Sequence, residues 1–229
     1  MTVTLTGISS MATRQVLNEL AKAYEQRTDH KVVVESVGGV DAARRVAEGE
    51  AFDFVVLAAD AIDKLAASGQ VLAGSRVDLV QSGVAVAVKS GAARPDISSE
   101  EALKRAVLAA ATVGYSTGPS GVAVVKLFER WGIAQELQGR LVQAQPGIPV
   151  GALVARGEVA LGFQQLSELI HLQGIDLLGT MPTAVQINTT FSAGLCTAST
   201  QPVAVRALFA FLASPAAEEA KRRNGMEAA

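Results

Sequence analysis

An alternation of short apolar runs with amphipathic stretches most constrains what this chain can fold into; it occurs in two series, the second bracketed by two longer extended stretches. Thr2 to Thr6 reads as a strand, Gly7-Ile8-Ser9-Ser10 as a turn and N-cap, and Met11 to Gln26 as a helix with Val16, Leu17, Leu20 and Tyr24 at helical spacing. Lys31 to Val34 is a β-branched run, Gly38-Gly39 a loop, Val40 to Glu48 a helix, Phe52 to Leu57 an apolar strand and Ala61 to Ala67 a helix closed by Gly69. This βαβαβα order implies a parallel sheet covered on both faces.

Val77 to Val88, broken at Ser82-Gly83, opens a second series. Helices are expected at 99–108, 121–131, 150–155 and 166–170, with strands at 112–115, 141–144, 160–163 and 175–178. Gln186 to Leu195 is a further extended run, followed by helices over 202–212 and 216–223 that are too short to form a domain alone. The expected architecture is α/β with two lobes hinged by two crossing strands: 1–82 with 188–229, and 83–187.

Composition narrows the function. Twenty Lys and Arg against 22 Asp and Glu leave a net charge of −2, which provides no general cationic surface for nucleic acid or anionic lipid. Aromatic residues are 4% of the chain, too few for base-stacking platforms or aromatic cages. The single cysteine, Cys196, excludes an internal disulfide, and His30 and His171 lack zinc-ligand spacing, so neither metal nor cofactor is expected. No stretch approaches the roughly 20 apolar residues of a membrane span, and residues 1–5 do not form a basic n-region with an apolar run. The expected location is periplasmic if a leader has been removed, and cytoplasmic otherwise.

Open α/β sheets bind ligands where strands end and helices begin. Four loops here are rich in Gly, Ser and Thr or in Gly and Pro: Gly7 to Ser10, Val37 to Gly39, Ser116 to Gly121 and Pro146 to Pro149. Each offers unpaired backbone N–H groups at a helix N-terminus, a setting that suits an anion. Hydroxyls of Ser9, Ser10, Ser116, Thr117 and Ser120 add directional donors. Such residues also serve as ordinary helix caps, and for any single loop that alternative stands. Two glycines and three hydroxyls within Ser116 to Gly121 exceed what one cap needs, although no Gly-Lys-Ser/Thr sequence makes the segment a P-loop.

These features, with Ala42-Ala43-Arg44-Arg45-Val46-Ala47-Glu48-Gly49 ahead of Phe52 to Val56, Ala152 to Val159 and Phe211 to Glu218, resemble the molybdate-binding-protein-like branch of the type 2 periplasmic solute-binding proteins. The resemblance runs nearly end to end. It implies a small anion, an oxyanion or a small carboxylate, held in an interlobe cleft by hydroxyls and amides, with an ABC-transporter permease as partner. Carried onto this chain, it assigns Ser9 and Ser10 to the first anion loop, Gly38 and Gly39 to the second, Ser120 and Gly121 to the other lobe, and Pro149 and Val150 to a helix start. Where molybdate binders commonly place a tyrosine after the strand ending at Phe163, this chain has Gln164-Gln165. That departure resembles a looser subgroup to which aconitate isomerase, an enzyme on the same scaffold, is similar. The alternative function is therefore a proton shift on an unsaturated tricarboxylate. A carboxylate ligand calls for a cation, and Arg14 in the first helix is the candidate, a solvated arginine being the alternative. A Ser-based hydrolase is not expected, since Ser120 lacks the Gly-x-Ser-x-Gly spacing and neither histidine has an assignable acid. Glu35, beside the second loop, is the one carboxylate singled out as a proton-transfer candidate.

Overall fold

A computed structural model describes residues 2–229, which divide into two compact units: the chain up to Ser82 with Thr189–Ala229, and Gly83–Asn188. In the first unit the strands are β1 (Thr4–Ser10), β2 (Lys31–Val37), β3 (Phe54–Ala58), the first part of β4 (Val77–Lys89), β9 (Asn188–Leu195, from Thr189 on) and β10 (Glu227–Ala228). Its helices are α1 (Arg14–Glu25), α2 (Gly39–Ala47), α3 (Ala59–Ala67), α8 (Pro202–Leu212) and α9 (Glu218–Arg223). The second unit carries the rest of β4, then α4 (Glu100–Ala109), β5 (Val113–Tyr115), α5 (Pro119–Arg130), β6 (Leu141–Gln143), α6 (Val150–Arg156), β7 (Leu161–Gln165), α7 (Leu166–Leu169) and β8 (Ile175–Thr180).

In the first unit β1 lies between β2 and β3 with all three parallel, as the alternation of elements requires, while β9 runs antiparallel to β3. β3 shows why its sequence is a continuous apolar run. Phe54 and Val56 face the cluster formed with α1, α8 and α9, whereas Val55 and Leu57 face the cluster under α2 and α3. Edge-on contact between Phe54 and Phe209, with centroids 6.1 Å apart, ties the C-terminal helices to the N-terminal sheet. Lys221, 1% exposed, donates from Nζ to the Leu79 carbonyl oxygen at 2.8 Å, giving the buried ammonium one fixed acceptor.

Asp53 connects three segments of this unit. Its Oδ2 accepts from the Thr6 amide at 2.8 Å and the Thr6 hydroxyl at 3.1 Å, and its Oδ1 accepts from Ser199 Oγ at 2.7 Å. Asp53→Ala removes all three acceptor contacts at once. The expected loss is about 1–3 kcal/mol of stability, read as a lower urea midpoint at unchanged slope.

In the second unit β4 lies between β7 and β8, antiparallel to both, and β5 lies between β6 and β7, parallel to both. Alternate residues of β4 face opposite sides: Val84, Val86 and Val88 enter the core with α4 and α5, and Ala85 and Ala87 pack under Leu169 of α7.

Several boundaries differ from the sequence reading. The parallel sheet expected of the βαβαβα segment is formed by β1, β2 and β3, and the long strands β4 and β9, outside that segment, pair antiparallel with their neighbours. β1 runs on through Ser10, where a turn was expected, since β2 pairs with it as far as Ser10 opposite Val37. β4 continues through Ser82-Gly83 instead of breaking there. Val84 N donates to the Ile187 carbonyl oxygen at 3.0 Å, and a Cβ on Gly83 would stand 2.9 Å from Gln186 Nε2. Glycine here admits a close neighbour within an extended strand. β7 extends to Gln165, which places Gln164 inside a strand.

Candidate functional site

In the first unit the parallel strands β1, β2 and β3 end together, and helices leave from those ends. Along β1, Ile8 faces the α2–α3 side, and Ser10, two residues on, shares that face. A Cβ on Gly39 would lie 3.5 Å from Ser10 Cβ, so the bare first turn of α2 sits directly against Ser10. Ser10 is 7% exposed, and its Oγ has no hydrogen-bond partner among the described residues. The N-cap of α2, Gly38, provides no side-chain cap, so the first amides of that helix also lack one.

Ser9 points to the opposite face of β1. It is fully buried, and its Oγ lies 2.8 Å from Ser36 Oγ on β2 and donates to the Ser10 carbonyl oxygen at 3.3 Å. Its hydroxyl is thus committed inside the sheet and holds the end of β1 against β2. Arg14, the first residue of α1, is exposed and makes no hydrogen bond or ion pair among the described residues. A cation at a helix N-terminus opposes the helix dipole, so nothing local favours it there.

In the second unit the ends of β5, β6 and β7 lead to α5, α6 and α7. Ser116, Thr117 and Gly118 form the loop into α5, whose N-cap Gly118 offers no side-chain cap. The hydroxyls of Ser116, Thr117 and Ser120 make no hydrogen bonds among the described residues, and Ser120 is 6% exposed. Gly121 is compulsory for space: a Cβ there would fall 1.8 Å from the Ser116 carbonyl oxygen. α4, by contrast, is capped in the ordinary way, its Ser99 Oγ accepting from the Ala102 amide at 3.1 Å. Capping, the alternative for Ser116, Thr117 and Ser120, is therefore realised at none of them.

Pro149 is the N-cap of α6 and Val150 its first residue, again with no side-chain cap. On β7, Gln164 follows Gly162 on the face covered by α6, where a Cβ on Gly162 would meet Val154 Cγ2 at 2.5 Å. This alternation delivers the Gln164 side chain to the start of α6. Its Oε1 accepts from the Gly151 amide at 3.1 Å, and its Nε2 donates to Glu168 Oε1 at 2.8 Å. Gln164 is 3% exposed. Burial pushes the Glu168 carboxyl up to about 7, against the opposing pull of the Gln164 hydrogen bond.

Glu168 is the group that sequence reasoning missed. The available signal was Gln164 followed four residues later by an acid within the apolar stretch Leu166-Ser167-Glu168-Leu169. The carboxylate singled out instead, Glu35, is exposed and accepts two hydrogen bonds from Arg45, at 2.6 and 2.9 Å. That guanidinium holds it below the usual carboxylate range, which makes it a poor proton acceptor. Among the described residues no cluster of His, Cys, Asp or Glu is arranged to hold a metal ion, and no helix is long and apolar enough to cross a membrane.

Known proteins share this architecture. An aconitate isomerase from a Pseudomonas species is 42% identical over 230 residues, spanning 98% of this chain and 87% of that protein. The periplasmic molybdate-binding protein of Azotobacter vinelandii has the same fold, with a TM-score of 0.80 at 20% identity over 97% of this chain and 98% of its own. The tungstate ABC transporter protein of Geobacter sulfurreducens superposes with a TM-score of 0.72 at 16% identity over 95% and 97% of the two chains. The family model of the bacterial extracellular solute-binding proteins matches residues 5–227, and with a fold and a full-length relative that agree, the chain belongs to that family.

Proposed function

We propose that this solute-binding protein takes a small carboxylate anion as its ligand, held by hydroxyl and amide donors of the strand-end loops. The observation that carries this reading is that the buried Ser10 Oγ has no partner, that the Ser116, Thr117 and Ser120 hydroxyls cap no helix, and that the N-caps of α2 and α5 give their first amides no side-chain acceptor. A buried donor without a partner, as at Ser10, is costly, and an anion satisfies it with a charge-assisted hydrogen bond. In the first unit the candidate donors are the Ser10 hydroxyl and the Gly38 and Gly39 amides, with Ser9 bracing the end of β1; in the second they are the Ser116, Thr117 and Ser120 hydroxyls and the Gly121 and Val150 amides, Pro149 contributing no N–H and only setting the start of α6. Arg14, unpaired and exposed, supplies the two-pronged cation that a planar carboxylate matches better than a tetrahedral oxyanion does. Gln164, its amide already engaged by Gly151 and Glu168, acts by positioning more than by direct contact. The physiological partner in this reading is the permease of an ABC transporter, and the location is the periplasm.

A thermal-shift panel of molybdate, tungstate, sulfate, phosphate and di- and tricarboxylates tests this reading, since a ligand selective for the folded state raises the melting temperature by mass action. A carboxylate should give the largest rise; a rise with molybdate alone would contradict the reading. With the carboxylate that responds, Ser120→Ala should weaken binding by about 1–3 kcal/mol and leave the ligand-free melting temperature nearly unchanged. Arg14→Lys keeps the charge and loses the fork, so carboxylate affinity should fall while any residual oxyanion affinity holds.

A second reading is favoured by the Pseudomonas relative: at 42% identity over almost the whole chain, its aconitate isomerase activity supports an enzyme that interconverts cis- and trans-aconitate. The two readings share the ligand class and differ in whether the bound molecule turns over. A binder needs no acid–base group beside its ligand, and an isomerase requires one.

A further inference from the structure

We infer that Glu168 carries the proton in such an isomerisation, an inference that rests on the isomerase reading above. The geometry begins with the strand alternation that brings Gln164 to the start of α6. There the Gly151 amide fixes the Gln164 carbonyl oxygen, so its amide nitrogen has one remaining direction in which to hold Glu168 Oε1, at 2.8 Å. The amide thus orients the carboxyl without neutralising it. Oε2 of Glu168 has no donor among the described residues, and beside it in sequence the buried Ser167 Oγ is likewise without a partner.

An i, i+4 Gln–Glu pair on an exposed helix would be an ordinary surface contact. This one differs in being partly buried and in having no cation. Charged groups on the elements packed against α7 are occupied elsewhere: Arg156 of α6 pairs with Glu158, and Asp176 of β8 accepts from Ser90 and Gly91. Lys89 of β4 lies against Gly157, at the far end of α6. Burial without a counter-ion keeps the carboxyl near 7, where it can both take up and release a proton at neutral pH.

The step balances within the substrate and this one group. The Glu168 carboxylate takes a proton from the methylene carbon beside the double bond, and the C–H electron pair becomes the new double bond to the central carbon. The former π pair then takes a proton from Glu168 at the old vinylic carbon, either the one abstracted or one that the carboxyl has exchanged with solvent. The double bond has moved by one carbon, the carboxylate is regenerated, and no oxidant or reductant takes part. Because each of the three carbons bears a carboxylate arm, the product is aconitate again, as the cis or trans isomer according to how the methylene arm was held.

The test uses the full chain and its Glu168→Gln and Glu168→Asp variants with trans-aconitate in D2O. Proton NMR follows the cis signal and deuterium uptake, and calorimetry follows binding. Wild type should convert the isomer and incorporate deuterium. Glu168→Gln should bind with similar affinity and turn over about 100-fold or more slowly, and Glu168→Asp should recover part of the rate. The wild-type rate should rise with pH through about 7, and the residual rate of Glu168→Gln should lack that limb. Turnover by Glu168→Gln at the wild-type rate, or loss of binding as large as the loss of rate, overturns the role of Glu168 and leaves the isomerase reading standing. Binding by wild type with neither conversion nor exchange overturns the isomerase reading itself.

Discussion

Gly121→Ala should be the most damaging single-methyl change in the second unit. The added Cβ would meet the Ser116 carbonyl oxygen at 1.8 Å and the Ser116 carbonyl carbon at 2.7 Å, and both are backbone atoms that no rotamer change can move aside. The conflict is one of space, since Gly121 does not occupy the left-handed region. Either the first turn of α5 lifts from the 116–118 loop or the loop is displaced, and the expected cost is about 3 kcal/mol. Melting should occur well below the wild-type temperature, and carboxylate binding should be lost with the loop geometry. Gly118→Ala is the control: its nearest neighbour would be Ser116 Oγ at 3.9 Å, so that variant should melt close to wild type. Equal melting of wild type and Gly121→Ala would show that the loop does not pack as described.

Glu168 should leave a signature in the pH dependence of stability even without ligand. Its carboxyl is pushed up to about 7 in the folded chain, against 4.5 when free of the fold. Between those values the folded state holds the proton more tightly, so stability falls as pH rises through the window, and the full penalty is present above 7. The magnitude is on the order of 2–3 kcal/mol. Glu168→Gln cannot ionise and retains an acceptor for Gln164. Urea melts at pH 5 and pH 8 should therefore show the variant gaining about 2–3 kcal/mol relative to wild type between the two conditions. Parallel curves for the two proteins would show that Glu168 is solvated and ordinary.

Strand–helix order and the strand-end loops were legible in the sequence, because they follow from local periodicity and from glycine and hydroxyl residues at fixed places. β3 could be read as a buried strand since all five of its residues, Phe54 to Ala58, are apolar. The crowding of glycines and hydroxyls in Ser116 to Gly121 likewise stood out, and the Gly121 contact with Ser116 gives a spatial reason for one of those glycines. What local pattern does not encode is pairing. β1 extends through Ser10 because β2 lies beside it, and β4 runs through Gly83 because Ile187 supplies a partner. The direction of β9 depends equally on a neighbour distant in sequence. Gln164 was visible as a departure from the tyrosine of molybdate binders, but its commitments to Gly151 and Glu168 depend on α6 covering β7, a tertiary relation. Glu168 went unnoticed because its distinction lies in burial without a cation, which only packing creates.

Calorimetric titration of the wild-type chain with trans-aconitate, alone and with saturating molybdate, tests the carboxylate assignment most directly. A single saturable heat for aconitate that molybdate leaves unchanged is expected. Tight molybdate binding together with no heat from aconitate or any other di- or tricarboxylate would contradict it.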